Sequence, residues 1–210
     1  FSNITDWSRR DSVFFGDGAG AMVLSTTEED KGFIDFDLHS DGRGKESFTI
    51  IGGGSEHPTS TETLENGLHY FSMDGKAVFD TATKVVPESI NYILQKNKQQ
   101  VRDVDFMIPH QPSIGILKSI AQQIGLDFSK VATNMDRYAN TSGATIPLVF
   151  HEYRMKNAFQ PNNLLVFAAV GAGSGAGVVA GASASAGAGA SAGVGVGAGE
   201  GAGVGAGAGA

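Results

Sequence analysis

Between Pro161 and Gly171 the chain reads Asn163-Leu164-Leu165-Val166-Phe167-Ala168-Ala169-Val170, an apolar run without a charged side chain. A run of this length bounded by Pro and Gly is a strand, and apolar character on both of its faces requires cover on both. Such a strand belongs in the middle of a sheet, with helices above and below. The chain is therefore expected to be a layered α/β structure. A following segment around Val178-Val179-Ala180 can pair beside it.

The helices that supply the cover are legible. Val78, Phe79, Ala82, Val85, Val86, Ile90, Ile93 and Leu94 recur at three- and four-residue steps, giving one apolar stripe over about Asp74 to Gln95. Pro87 inside it is expected to kink or divide the helix. Val104-Asp105-Phe106-Met107-Ile108 reads as a strand ending at Pro109. Pro112 then opens a helix with the stripe Ile116, Leu117, Ile120, Ala121 and Ile124, stopped by Gly125. Val131 to Thr133 is a short strand, and a last helix spans about Ala144 to Lys156. Near the start, Ala21 to Leu24 reads as a strand. Phe33 to Leu38 alternates, which places Ile34, Phe36 and Leu38 on one half-buried face. Residues Ser40 to Asn66 are dense in Gly, Ser, Thr and Glu and are expected to form a long surface excursion.

Composition excludes several classes. A formal charge of -7 offers no basic footprint for nucleic acid. No run of eighteen apolar residues is present, so no membrane helix is expected. With no cysteine, disulfides and thiolate metal sites are ruled out, and a cytoplasmic location is permitted without being proved. His39, His57, His69 and His151 have no ligand-like spacing, so no metal is assigned. The beginning Phe1-Ser2-Asn3 has neither a signal pattern nor an initiator Met, and the chain is expected to begin within a longer protein. From Ser183 to Ala210 almost every residue is Gly, Ala, Ser or Val, interrupted by Glu200; disorder is the expectation, with silk-like self-association as the alternative.

Three segments carry candidate chemistry. His110 follows a strand and precedes a helix, at the strand end where open α/β sheets bind ligands; a plain surface histidine is the alternative. Asn140, in the loop Arg137-Tyr138-Ala139-Asn140-Thr141-Ser142-Gly143-Ala144, is either a turn former or a carboxamide donor. Gly171-Ala172-Gly173 follows the buried strand, where small residues let a backbone N–H approach a ligand; it also suits the start of the low-complexity tail. Phe15-Gly16-Asp17-Gly18-Ala19-Gly20-Ala21 is not a dinucleotide fingerprint. Ala21 stands where the third Gly belongs, and a strand rather than a helix is expected to follow.

Taken with Ile108-Pro109-His110-Gln111, the Asn140 loop and the Gly16–Ala21 turn resemble the C-terminal part of a thiolase-fold condensing enzyme of the ketoacyl-acyl-carrier-protein synthase III family. Asp6-Trp7 and Arg9-Arg10 are similar to that family's approach to the turn. The resemblance implies helices layered on a mixed five-stranded sheet. It divides the chain into 1–40, the end of the first thiolase-like half and the entry to the second; 41–72, the excursion; 73–182, the second half; and 183–210, the tail. It implies His110 and Asn140 as the pair that holds a malonyl thioester carbonyl while carbon dioxide leaves, and Ala172 as a backbone oxyanion donor. The substrates would be acyl and malonyl thioesters of coenzyme A or acyl-carrier protein, with no resident cofactor.

The sequence departs from the family in several places, one of them Gly143, which stands where Ala is common. The acyl-carrying nucleophile is a cysteine, and none is present. Ala139 replaces the usual Gly before Asn140; if the loop needs a positive φ there, Ala139 is strained. Basic residues expected on the helix after His110, where an acidic carrier docks, are Gly115, Gln122 and Gln123, leaving Lys118 nearby. This chain alone is therefore not expected to condense thioesters. Family members are homodimers. The alternatives are a non-catalytic or complementing subunit of a heterodimer with a Cys-bearing thiolase-fold chain, or a structural protein that self-associates through its tail.

Overall fold

A computed structural model of the protein describes residues 1–26, 28, 32–171 and 176–184. In chain order its elements are β1 (Gly32–Phe33), β2 (Asp37–Leu38), β3 (Phe48–Ile50), α1 (Thr61–Glu65), β4 (Phe71–Met73), α2 (Gly75–Lys96) and β5 (Phe106–Pro109), then α3 (Ile114–Ile124), α4 (Met135–Tyr138), α5 (Thr145–Met155), β6 (Asn163–Val170) and β7 (Ala176–Ala184).

Five strands form one mixed sheet, ordered β1-β7-β6-β5, with β2 also pairing to β7. β6 runs parallel to β5, with Met107 opposite Val166 and Pro109 opposite Ala168. It runs antiparallel to β7, with a register shift between Leu165 and Val166. The apolar run is thus an inner strand, and both of its faces are covered as expected. Met107, Val166 and Ala168 pack with α2 and α3 on one side. Ile108 and Leu165 pack with Val149 of α5 and with Phe159 on the other. Fully burying one such side chain stabilises the fold by about 1.5–3 kcal/mol, so this double-sided core anchors everything attached to the ends of β5 and β6.

α2 starts at Asp74, whose carboxylate accepts from the amides of Lys76 and Ala77, and it buries Ala82, Val86, Ile90, Ile93 and Leu94 as the periodicity predicted. Pro87 does not divide it; the helix is continuous over 22 residues. Pro87 is itself buried with Val86 and Ile90, and this packing carries the helix through the missing backbone bond. α3 is capped by the Ser113 hydroxyl, so Pro112 stands before the cap and not in the first turn. Gly125 ends it at φ +76.

Three further expectations are corrected. Ala21 to Leu24 is not a strand, and Val23 and Leu24 are 84% and 70% exposed. Phe33 to Leu38 is broken into β1 and β2, and its phase is the reverse of that expected. Asp35 bonds to Lys96 and Asn97, and Asp37 to Ser89, so the carboxylates face α2. Ile34, Phe36 and Leu38 are exposed. Alternation defines two faces, and here the polar one found partners. The excursion holds structure of its own: β3 pairs with β4, and α1 has a reciprocal cap between Ser60 and Thr63. β7 ends at Ala184, within the segment that began as tail in the sequence; the rest of the tail lies outside the described residues.

Candidate active site

β5 ends at Pro109, and the next residue is His110, whose amide donates to the Ala168 carbonyl of β6 at 2.7 Å. The ring is therefore set at the carboxyl edge of the sheet. A narrow apolar cleft beside it is lined by Val86, Pro109, Ile116, Ala168 and Val170. Burial in this setting pushes the imidazole down to about 4, against a smaller upward pull from the Ser142 backbone. The ring is neutral near neutral pH.

Gln111 holds this corner in place. Its side chain is fully buried; the amide donates to the carbonyls of Pro109 and Ala132 at 2.9 and 3.0 Å, and its oxygen accepts from the Asn134 amide. One carboxamide thus ties the end of β5 to the segment leading into the Asn140 loop. That segment is pinned a second time by Glu152 of α5, which binds Arg137 at 2.5 Å, Lys156 at 2.6 Å and Asn134 at 3.3 Å. Burial alone would raise the Glu152 carboxyl, but these three hydrogen bonds outweigh it and hold it below the usual range.

The Asn140 backbone is held from the opposite side. Its amide donates to Phe14, and its carbonyl accepts from Gly16, each at 3.0 Å. The turn comes this close because every second residue, Gly16, Gly18 and Gly20, lacks a side chain. A Cβ on Gly16 would lie 2.4 Å from the Tyr138 carbonyl oxygen, and one on Gly20 would lie 2.5 Å from the Pro147 ring. The turn is a packing surface for the Asn140 loop. Ala139, just before Asn140, adopts φ +55 and ψ -153, a conformation essentially reserved for glycine. The loop does need a positive φ at this position, and it holds it in a residue with a Cβ.

His110 and Asn140 are brought together. His110 Nδ1 lies 2.7 Å from the Thr145 hydroxyl, which donates to the Ser142 carbonyl at 2.8 Å, and the Ser142 amide donates to Asn140 Oδ1 at 2.8 Å. This chain occupies one ring nitrogen and the carboxamide oxygen. It leaves His110 Nε2 and the Asn140 amide group without partners among the described residues. Two side chains 30 residues apart in sequence are thus joined through one short chain of hydrogen bonds. Ala172 lies outside the described residues. Among those described, no group of three or more His, Asp or Glu is placed to hold a metal, and no helix is long and apolar enough to cross a membrane. Sequence reasoning singled out His110 and Asn140 but missed Thr145, Gln111 and Glu152. Their roles depend on contacts across 15 to 35 residues; Gln111 stands within the motif quoted for His110, whereas no local pattern marks Thr145 or Glu152.

Known proteins share the sequence pattern and fold of this chain. The family described as 3-oxoacyl-[acyl-carrier-protein] synthase III, C terminal, matches residues 94–183, and that described as 3-oxoacyl-[acyl-carrier-protein] synthase III matches residues 1–42. A beta-ketoacyl-[acyl-carrier-protein] synthase III of Desulfitobacterium hafniense is 39% identical over 171 residues, covering 81% of this chain and 52% of the relative. One from Solibacter usitatus is 38% identical over 175 residues, covering 81% and 53%. Among solved structures, the synthase III of Pseudomonas aeruginosa superposes with a TM-score of 0.76 at 30% identity, over 86% of this chain and 54% of that one. The Thermus thermophilus enzyme gives 0.75 at 29%, over 87% and 57%. The chain belongs to the ketoacyl-acyl-carrier-protein synthase III-like proteins of the thiolase fold. It spans about half the length of the curated relatives it matches.

Proposed function

We propose that the chain is the decarboxylation and condensation part of a ketosynthase III-type acyltransferase. The observation that carries this is the hydrogen-bonded link from His110 through Thr145 and Ser142 to Asn140; on this reading the two unused nitrogens serve one ligand oxygen. In the proposed reaction a cysteine outside these 210 residues first receives an acyl group from a thioester. A malonyl thioester then binds with its carbonyl oxygen between His110 Nε2 and the Asn140 amide. The C–C bond to the carboxylate breaks, carbon dioxide leaves, and the electron pair is held as an enolate on that oxygen. The enolate carbon attacks the acyl thioester; a new C–C bond forms, and the cysteine thiolate departs. Ala172 would add a backbone donor to the same oxygen. The apolar walls beside His110 raise the value of each donor by excluding water.

Two finer readings go with it. The outward face of α3 carries Gly115, Lys118, Gln122 and Gln123, all exposed and with a single positive charge. That favours coenzyme A thioesters over an acidic carrier protein at this face. The exposed Trp7, Val13, Phe14, Val23, Leu24, Ile34, Phe36 and Leu38 favour assembly with a Cys-bearing thiolase-fold segment, in the same polypeptide or as a second chain.

The test uses an enzyme complete with its cysteine. His110→Ala and Asn140→Ala are each expected to slow malonyl decarboxylation by about a hundred- to a thousandfold, the typical worth of one oxyanion donor, with cysteine acylation retained. Near-normal decarboxylation in both variants would refute the assignment.

A further inference from the structure

The Thr145 hydroxyl has one proton and two neighbours, His110 Nδ1 at 2.7 Å and the Ser142 carbonyl oxygen at 2.8 Å. A carbonyl oxygen only accepts. When the hydroxyl donates to Ser142, it has only lone pairs left for the imidazole, so Nδ1 must carry the ring proton. The alternative, donation from the hydroxyl to Nδ1, gives up the bond to Ser142. The first arrangement makes two hydrogen bonds and the second makes one, a difference worth roughly a tenfold preference. Thr145 is 2% exposed, so water does not replace the lost bond.

We infer that Thr145 is a positioning residue that fixes the neutral His110 ring with its proton on Nδ1 and a lone pair on Nε2. At rest, then, the atom facing the site is a proton acceptor. For the ring to donate to a thioester oxygen, Nε2 takes up a proton while Nδ1 releases one, with water as the carrier and the ring neutral before and after. The hydroxyl then turns from Ser142 to Nδ1. Thr145 thereby keeps the acceptor and donor forms within about one hydrogen bond of each other. The use of this switch rests on the role proposed for His110; the resting tautomer does not.

The test is nitrogen NMR on the chain labelled with ¹⁵N-histidine near neutral pH, with His110→Gln used to assign the signals. Wild type is expected to show a protonated Nδ1 and an unprotonated Nε2. Thr145→Val, which keeps the shape and removes the hydroxyl, is expected to cut the Nδ1–H excess about tenfold, while Thr145→Ser preserves it. If valine perturbs the amide spectrum, Thr145→Ala gives the same comparison. A protonated Nε2 in wild type overturns the inference. So does a tautomer unchanged in the variants, since the ring would then be fixed by another group such as the Ser142 carbonyl. Neither result bears on malonyl decarboxylation, so this proposal and the catalytic assignment fail separately.

Discussion

Replacing Ala139 with glycine should stabilise this protein, although the change removes a side chain and loosens the unfolded chain. Ala139 holds φ +55 and ψ -153, and a non-glycine residue in such a region costs about 1–3 kcal/mol. Glycine adopts it freely, but the greater freedom of the unfolded chain offsets about 0.4–1 kcal/mol of the gain. The net expectation is about 1–2 kcal/mol in favour of Ala139→Gly. The loop keeps its position in the variant, because Asn140 is held by backbone bonds to Phe14 and Gly16 and the Ala139 amide still reaches Met135. Urea unfolding followed by circular dichroism reads the result. With a slope of about 1–3 kcal/mol per molar, the midpoint should rise by roughly 0.5–1 M with the slope unchanged. Ala139→Val should lower it, since a branched side chain suffers more in that conformation. A midpoint that falls or stays put in the glycine variant would refute the claim that position 139 is strained.

Other consequences can be checked in the same way. Gln111→Met should cost about 2–5 kcal/mol, because three buried backbone groups at Pro109, Ala132 and Asn134 lose their partner; denaturant titration measures it. Gly16→Ala should separate the turn from the Asn140 loop, as its Cβ would sit 2.4 Å from the Tyr138 oxygen, and faster exchange of the Asn140 amide reports the opening. The buried His110 has its value depressed from 6.5 to about 4, so the unfolded state binds a proton in this window that the native state does not. Its contribution is intact above pH 6.5 and is lost as pH falls towards 4, to the extent of order 3 kcal/mol. Stability measured across that range should fall less steeply in His110→Gln than in wild type.

The parts of the fold legible in the sequence are those with a strong internal period. The stripe of α2, the inner strand β6 and the Gly125 stop were each specified by neighbouring residues. The sense of the β1–β2 alternation was not, because the side that turns inward was decided by Lys96, Asn97 and Ser89, more than fifty residues away. The same division runs through the site. His110 and Asn140 stand in short motifs at element ends, where sequence signals are sharpest. Thr145 and Glu152 lie on one helix and act through partners in other segments, and neither differs locally from an ordinary helical residue.

The close contacts of Gly16, Gly18 and Gly20 separate solvent access from mutational tolerance. Gly18 and Gly20 lie on the surface, yet a Cβ there would run into Leu148 and Pro147. In a saturation-mutagenesis map Gly20, which faces the rigid Pro147 ring, should rank with the deepest interior positions, and a survey that scored risk by accessible area alone would pass over it.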